Sequence, residues 1–227
     1  SDDSLSCLGV SYYLSGDIER ASECLDKLSE INPNTDFGPT VNLMLANIYS
    51  LRGNHLIAIH YYLKVLPINR DIAVLENLGN SYFDIGDWDN AENCYNEILS
   101  LDPDYISARH SLASVYARRG DFRKAREEYK KCLKTDPIFS RTQKAIIAMH
   151  IQQDEYSQAM EEVNKLLNEN SSDSDALYFL AVIHFMTENY KEAVEFANKS
   201  SQSDSNNLKV KDFLKFINLF DLSKMNN

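Results

Sequence analysis

One phrase of residues returns along the chain at a nearly fixed interval, and no other feature of the sequence limits the fold as sharply. A Leu is followed by a small residue, a Tyr comes three positions later, and a turn then leads to an Ala and an apolar side chain four residues beyond it. The first two copies read Leu8-Gly9…Tyr12…Gly16…Ala21…Leu25 and Leu45-Ala46…Tyr49…Gly53…Ala58…Tyr62. The next two read Leu78-Gly79…Tyr82…Gly86…Ala91…Tyr95 and Leu112-Ala113…Tyr116…Gly120…Ala125…Tyr129. A degenerate fifth copy is Ile146-Ile147…His150…Asp154…Ala159…Val163, and the sixth is Leu180-Ala181…His184…Glu188…Ala193…Ala197. The residue after the Leu falls at 9, 46, 79, 113, 147 and 181, so the steps are 37, 33, 34, 34 and 34 residues. A unit of this length cannot bury an apolar face alone and has to stack on its neighbours.

Within each unit the apolar residues keep helical spacing over two segments of about twelve to fourteen residues. First helices are expected near 4–15, 40–52, 73–85, 106–119, 140–153 and 174–187, and second helices near 18–30, 55–66, 88–101, 122–135, 156–169 and 190–203. Gly16, Gly53, Gly86 and Gly120, each followed by Asp or Asn, supply the left-handed residue that ends one helix and the cap that starts the next. Pro33, Pro103 and Pro137 follow second helices, where a missing N–H costs little. The three extra residues between copies one and two fall in the Pro33–Pro39 connection, read as a loop.

The phrase resembles the tetratricopeptide repeat, whose 34-residue signature is W-x2-L-G-x2-Y…A-x3-F…P. The leading Trp is missing from every copy. The resemblance implies an all-α fold: a right-handed superhelical solenoid of six helical hairpins, with repeats at about 2–35, 39–71, 72–105, 106–139, 140–173 and 174–206. A C-terminal capping helix is expected at 208–222, with residues 1–227 forming one domain cut from a longer protein.

Composition narrows the function. The net charge of −11 repels phosphate backbones, so nucleic acid is not an expected partner. No apolar run approaches the roughly 20 residues of a membrane span. Cys7, Cys24, Cys94 and Cys132 are widely spaced and lie within expected helices, which reads as small buried thiols in a reducing, cytoplasmic setting. Charge is uneven: residues 105–145 carry 11 of the 23 Lys and Arg but only 4 of the 34 acidic residues.

No catalytic motif, phosphate loop or metal-ligand spacing is present, so neither enzyme activity nor a cofactor or metal is expected. His150 and His184 replace the Tyr of the phrase one unit apart and read as ring fillers, with no carboxylate or Cys placed to complete a metal site with them. The resemblance implies a partner-binding concave groove lined by first helices. Its expected residues are Asn47, Asn77, Asn80, His110, Arg118, Arg141, Lys144, Tyr178, Phe179 and Phe185. The Asn row offers both donors and acceptors to a partner's backbone, while Arg118, Arg141 and Lys144 suit an acidic segment. The carboxylate clamp that holds the acidic tails of Hsp90 and Hsp70 chaperones is not reproduced; from copy two, for example, its positions hold Leu43, Asn47, Asn77, Ser107 and Ser111. These tails are therefore disfavoured partners. The function implied is a protein-interaction scaffold that takes a peptide or helix within a multiprotein complex. The alternatives are a recognition arm of a larger enzyme such as a glycosyltransferase, or a client-binding chaperone.

The final helix is apolar around most of its girth, from Leu208 and Val210 through Phe213, Phe216 and Ile217 to Phe220 and Leu222. It is expected to cover the apolar inner face of copy six. Its leftover apolar side is available to a second copy of the chain or to the partner.

Overall fold

The computed structural model describes residues 2–31, 38–136 and 139–219. Pro33 and most of the Pro33–Pro39 connection, Pro137, Phe220 and Leu222 lie outside the described residues. Among the described residues there are thirteen α-helices and no strand. First helices are α1 (Asp2–Leu14), α3 (Gly38–Leu51), α5 (Ile72–Asp84), α7 (Ile106–Arg118), α9 (Ser140–Gln152) and α11 (Ser174–Met186). Second helices are α2 (Ile18–Ile31), α4 (His55–Val65), α6 (Trp88–Leu101), α8 (Phe122–Thr135), α10 (Tyr156–Glu169) and α12 (Tyr190–Ser203), and α13 (Leu208–Leu219) follows. The expected helices are all present, each within about two residues of its expected bounds where it is described. The chain forms two compact units, Ser1–Asp121 and Phe122–Asn227.

The turns explain the spacing. Gly86 sits at φ 81°, and the same slot in copies five and six holds Asp154 at φ 58° and Glu188 at φ 63°. The fold thus demands a left-handed residue there whether or not Gly supplies it. The residue after Gly starts the next helix: the Asp87 carboxylate accepts from the Asn90 backbone N–H at 3.2 Å.

The small residue of the phrase is a packing device. A Cβ added at Gly79 would lie 2.9 Å from the Tyr95 ring and 3.1 Å from the Cys94 Cβ. One at Gly9 would lie 2.8 Å from Leu25. Close approach of the two helices therefore depends on pairing a small residue with a large one. The degenerate copy redistributes that volume: Ile147 replaces the small residue, and Val163 stands where Tyr95 stands two units earlier. Both are fully buried in one apolar cluster with Ala159 and Ile183. Volume conserved across the contact keeps the core packed.

Helix α13 starts at Leu208, 34 residues after Ser174 starts α11, so it occupies the register of a seventh first helix. Val210 and Ile217 are buried where Ala176 and Ile183 are buried one period earlier. Lys211 and Lys215 stand where α11 carries Leu177 and Ala181, and both are exposed. The face that in other first helices meets a second helix is polar here, as a solubilising cap requires. Phe213 packs edge-on to Tyr178 at 5.7 Å and to Phe185 at 5.8 Å, and Phe216 reaches Phe185 at 5.4 Å. The final helix therefore covers part of the inner face of copy six, as its apolar residues predict. Asn207 anchors the entry by donating to the Ser174 hydroxyl at 3.2 Å and to Asp175 at 3.3 Å.

Candidate protein-interaction surface

In unit one the first helices pack in sequence, α1 on α3, α3 on α5 and α5 on α7. This juxtaposition brings Asn47 of α3 and Asn77 of α5 together, with the Asn77 amide donating to the Asn47 carbonyl at 3.4 Å. The buried Tyr62 hydroxyl also donates to Asn47, at 2.7 Å, and the Asn47 amide donates to the Tyr13 hydroxyl at 3.1 Å. One unit later the Tyr95 hydroxyl donates to Asn80 at 2.8 Å. Burial pushes the Tyr62 and Tyr95 phenols above their ordinary range, so each stays a donor.

These bonds correct the reading of Asn47 and Asn77 as free binders of a partner backbone. The Asn47 carbonyl is already shared by two donors, and the Asn77 amide is turned toward it. The relation was legible in the sequence, because 15 residues separate Asn47 from Tyr62 and Asn80 from Tyr95 alike. Replacing Asn47 with Ala is expected to cost about 1–3 kcal/mol, the penalty for leaving a buried hydroxyl without its acceptor. Urea unfolding followed by circular dichroism measures this, and a cost near zero would return Asn47 to a binding role alone.

Asn80 keeps a side-chain N–H2 with no partner among the described residues. Close by in sequence, the half-buried Phe83 of α5 lies under the Arg118 guanidinium of α7, 6.0 Å from the ring centre. Cation–π contact holds a long, exposed side chain over an aromatic platform. His110 departs from expectation. It is 5% exposed, so its ring is packed inside rather than presented to a partner.

In unit two, Arg141 is exposed and has no ion-pair partner among the described residues. Lys144 does not fit the reading of a free cation for an acidic partner, because its ammonium lies 2.9 Å from Asp175 and 3.2 Å from Asp173. Burial works against the Asp175 carboxylate, but Lys144, Lys209 and Asn207 together hold it below the usual carboxylate range. Tyr178 and Phe185 are partly covered by α13, and Phe179 is half-buried beside Tyr178.

The basic block is largely neutralised within the chain. Arg119 pairs with Asp89 and Glu92, Arg123 with Glu127, and Arg126 with Glu155. Glu155 also meets His150, at 2.5 Å from Nδ1, which pairs that ring within the chain. His184 stacks on Phe196 at 5.3 Å. Among the described residues no group of three or more His, Cys, Asp or Glu is placed to hold a metal. All four cysteines are free thiols. Cys7 is exposed, which corrects its reading as buried, while burial pushes the Cys94 thiol up to about 11. No helix among the described residues is long and apolar enough to cross a membrane.

Three family models, each described as tetratricopeptide repeat, match residues 7–35, 70–137 and 150–207. No curated protein matches the sequence. Among solved structures, PilW, described as a widely conserved type IV pilus biogenesis factor, aligns over 94% of this chain and 98% of its own, with TM-score 0.67 and 18% identity. PilF of Pseudomonas aeruginosa aligns over 95% of this chain and 97% of its own, with TM-score 0.61 and 19% identity. A thermophilic repeat protein of Thermus thermophilus aligns over 80% of this chain and 100% of its own, with TM-score 0.67 and 15% identity. At these identities the likeness concerns the fold.

Proposed function

This chain belongs to the tetratricopeptide repeat family, and from that premise we propose that it is a scaffold that grips a peptide or helix of a protein partner within a complex. It acts by binding rather than by catalysis, in an intracellular setting. The observation that supports this most is the face shared by α5 and α7, where Arg118 is held over Phe83 in the same unit as the unspent Asn80 amide. Together they offer two N–H donors, a ring and a cation, which suits an extended segment carrying an acidic and an apolar residue. Unit two, taken by itself, offers the exposed cation Arg141. The exposed Leu208 and Phe216 of α13 are the seat of any self-association through that helix.

The test starts with affinity capture and mass spectrometry from the native source, followed by measured binding of the captured partner to wild type and to an Asn80→Ala, Phe83→Ala, Arg118→Glu variant. Affinity is expected to fall at least tenfold, about 1.4 kcal/mol, with helicity unchanged. Added salt weakens the wild-type complex. Undiminished binding by the variant would remove this face from the site.

A further inference from the structure

Helix α4 breaks a rule that every other second helix in the repeats obeys. It buries Ala58, Tyr62 and Val65 against its neighbours and leaves Leu56 72%, Ile57 43% and Leu63 46% exposed, with His60 exposed between them. Positions 56, 60 and 63 follow helical spacing, so they line one face, flanked by Ile57. Aligned on the shared Ala, the same four positions in α6 are Asp89, Asn90, Asn93 and Asn96. Across α2, α6, α8, α10 and α12 all twenty counterparts are polar or charged. The repeat itself therefore needs water-loving residues here, and only α4 presents a ridge of Leu and Ile. Exposed apolar surface of this kind marks a place that is covered in use.

Charge indicates what covers it. Residues 37–70 contain no Asp or Glu, in a chain that has 34 of them. Of the three cations in that stretch, Arg52 pairs with Asp26 and Arg70 with Glu97. Lys64, one turn beyond His60, meets no carboxylate among the described residues and sits 5.4 Å from the centre of the Tyr61 ring. A second copy of the chain docked by two-fold symmetry would set Lys64 and His60 against themselves with no acid between. An anionic lipid surface would gain only about 1 kcal/mol from the one unspent cation while meeting a chain of net charge −11.

We propose that the exposed face of α4 docks an amphipathic α-helix of a protein partner, with an apolar stripe on Leu56, Ile57 and Leu63 and an acidic residue on Lys64. The 11 residues of α4 make about three turns, which matches a partner stripe with anchors at i, i+3 or i+4, and i+7. This surface is separate from the α5–α7 face and does not rest on the groove reading.

The test uses the full chain and two fluorescent helical peptides of about six turns. Both carry one Leu stripe, bordered by Glu in one and by Lys in the other. The Glu peptide is expected to bind at least tenfold more tightly than the Lys peptide. Its affinity is expected to fall at least tenfold when α4 takes the α6 face (Leu56→Asp, Ile57→Asn, His60→Asn, Leu63→Asn). The Asn80, Phe83 and Arg118 substitutions leave it unchanged. If the four-residue variant loses helicity, Leu63→Asn alone serves in its place. Several outcomes overturn the proposal: no binding of the Glu peptide, equal binding of both peptides, or undiminished binding by the variant. So do a wild-type dimer in sedimentation velocity that the variant makes monomeric, and co-sedimentation with phosphatidylglycerol vesicles that the variant abolishes.

Discussion

Replacing Tyr95 with Ala is expected to destabilise the protein by about 3–5 kcal/mol, the range for deleting a large buried aromatic side chain. Tyr95 is 1% exposed, and its ring fills the space that Gly79 leaves open on the facing helix. With no side chain at Gly79 to move inward, the gap collapses poorly, and the cavity adds to the lost burial. The hydroxyl accounts for a smaller share. Tyr95→Phe keeps the ring and loses the hydroxyl with its bond to Asn80, so about 1 kcal/mol is expected.

The reverse error is testable at the same contact. Gly79→Ile places atoms where the Tyr95 ring already is, so it destabilises by about 1–3 kcal/mol or more. Combining it with Tyr95→Val copies the Ile147–Val163 arrangement of the fifth repeat and is expected to recover part of either single loss. Urea unfolding of the three variants gives the coupling directly. Strictly additive losses would show that the small–large pairing is not what sets the distance between the helices.

Removing residues 208–227 is expected to lower Tm by about 10 °C or more and to make the protein bind apolar dyes or aggregate. Val210 is 0% exposed and Ile217 1% exposed, while Phe213 joins Tyr178 and Phe185 in one aromatic cluster. Burying side chains of this size is worth about 1.5–3 kcal/mol each, offset in part by the entropy of ordering the helix. Without α13 the inner face of α11 becomes a bare apolar patch. Restoring the helix with Ile217→Asp separates burial from mere chain length: a carboxylate at that buried site should destabilise almost as much as the deletion. Scanning calorimetry and size-exclusion chromatography read both variants. A truncated chain that stays monomeric and equally stable would mean that α13 covers nothing the fold needs.

The sequence alone determined the period, the helix pairs and their turns, because each depends on residues close together in the chain. A left-handed slot recurs on schedule at Gly86, Asp154 and Glu188. The Gly79–Tyr95 contact lies within one hairpin, so its small–large logic is local and legible. Even α13 is foretold by counting 34 residues on from Ser174. Register also says which face of a helix a residue occupies, and that is where its reach ends.

Whether Asn47 or Lys144 is free or bonded was decided elsewhere. Asn47 meets Tyr13 from 34 residues before it and Asn77 from 30 after it. Lys144 meets Asp175 from 31 residues away. A polar side chain placed on the inner face by register is therefore captured whenever the neighbouring repeat carries a complementary group at the same height. The bond then forms within the chain because both partners are already held in place, and a ligand would have to order itself to compete. Tertiary packing thus separated groups already satisfied within the fold, such as Asn47 and Lys144, from those left open to a partner. Asn80 and Arg141 remain open: among the described residues neither the Asn80 amide N–H2 nor the Arg141 guanidinium makes a hydrogen bond or an ion pair.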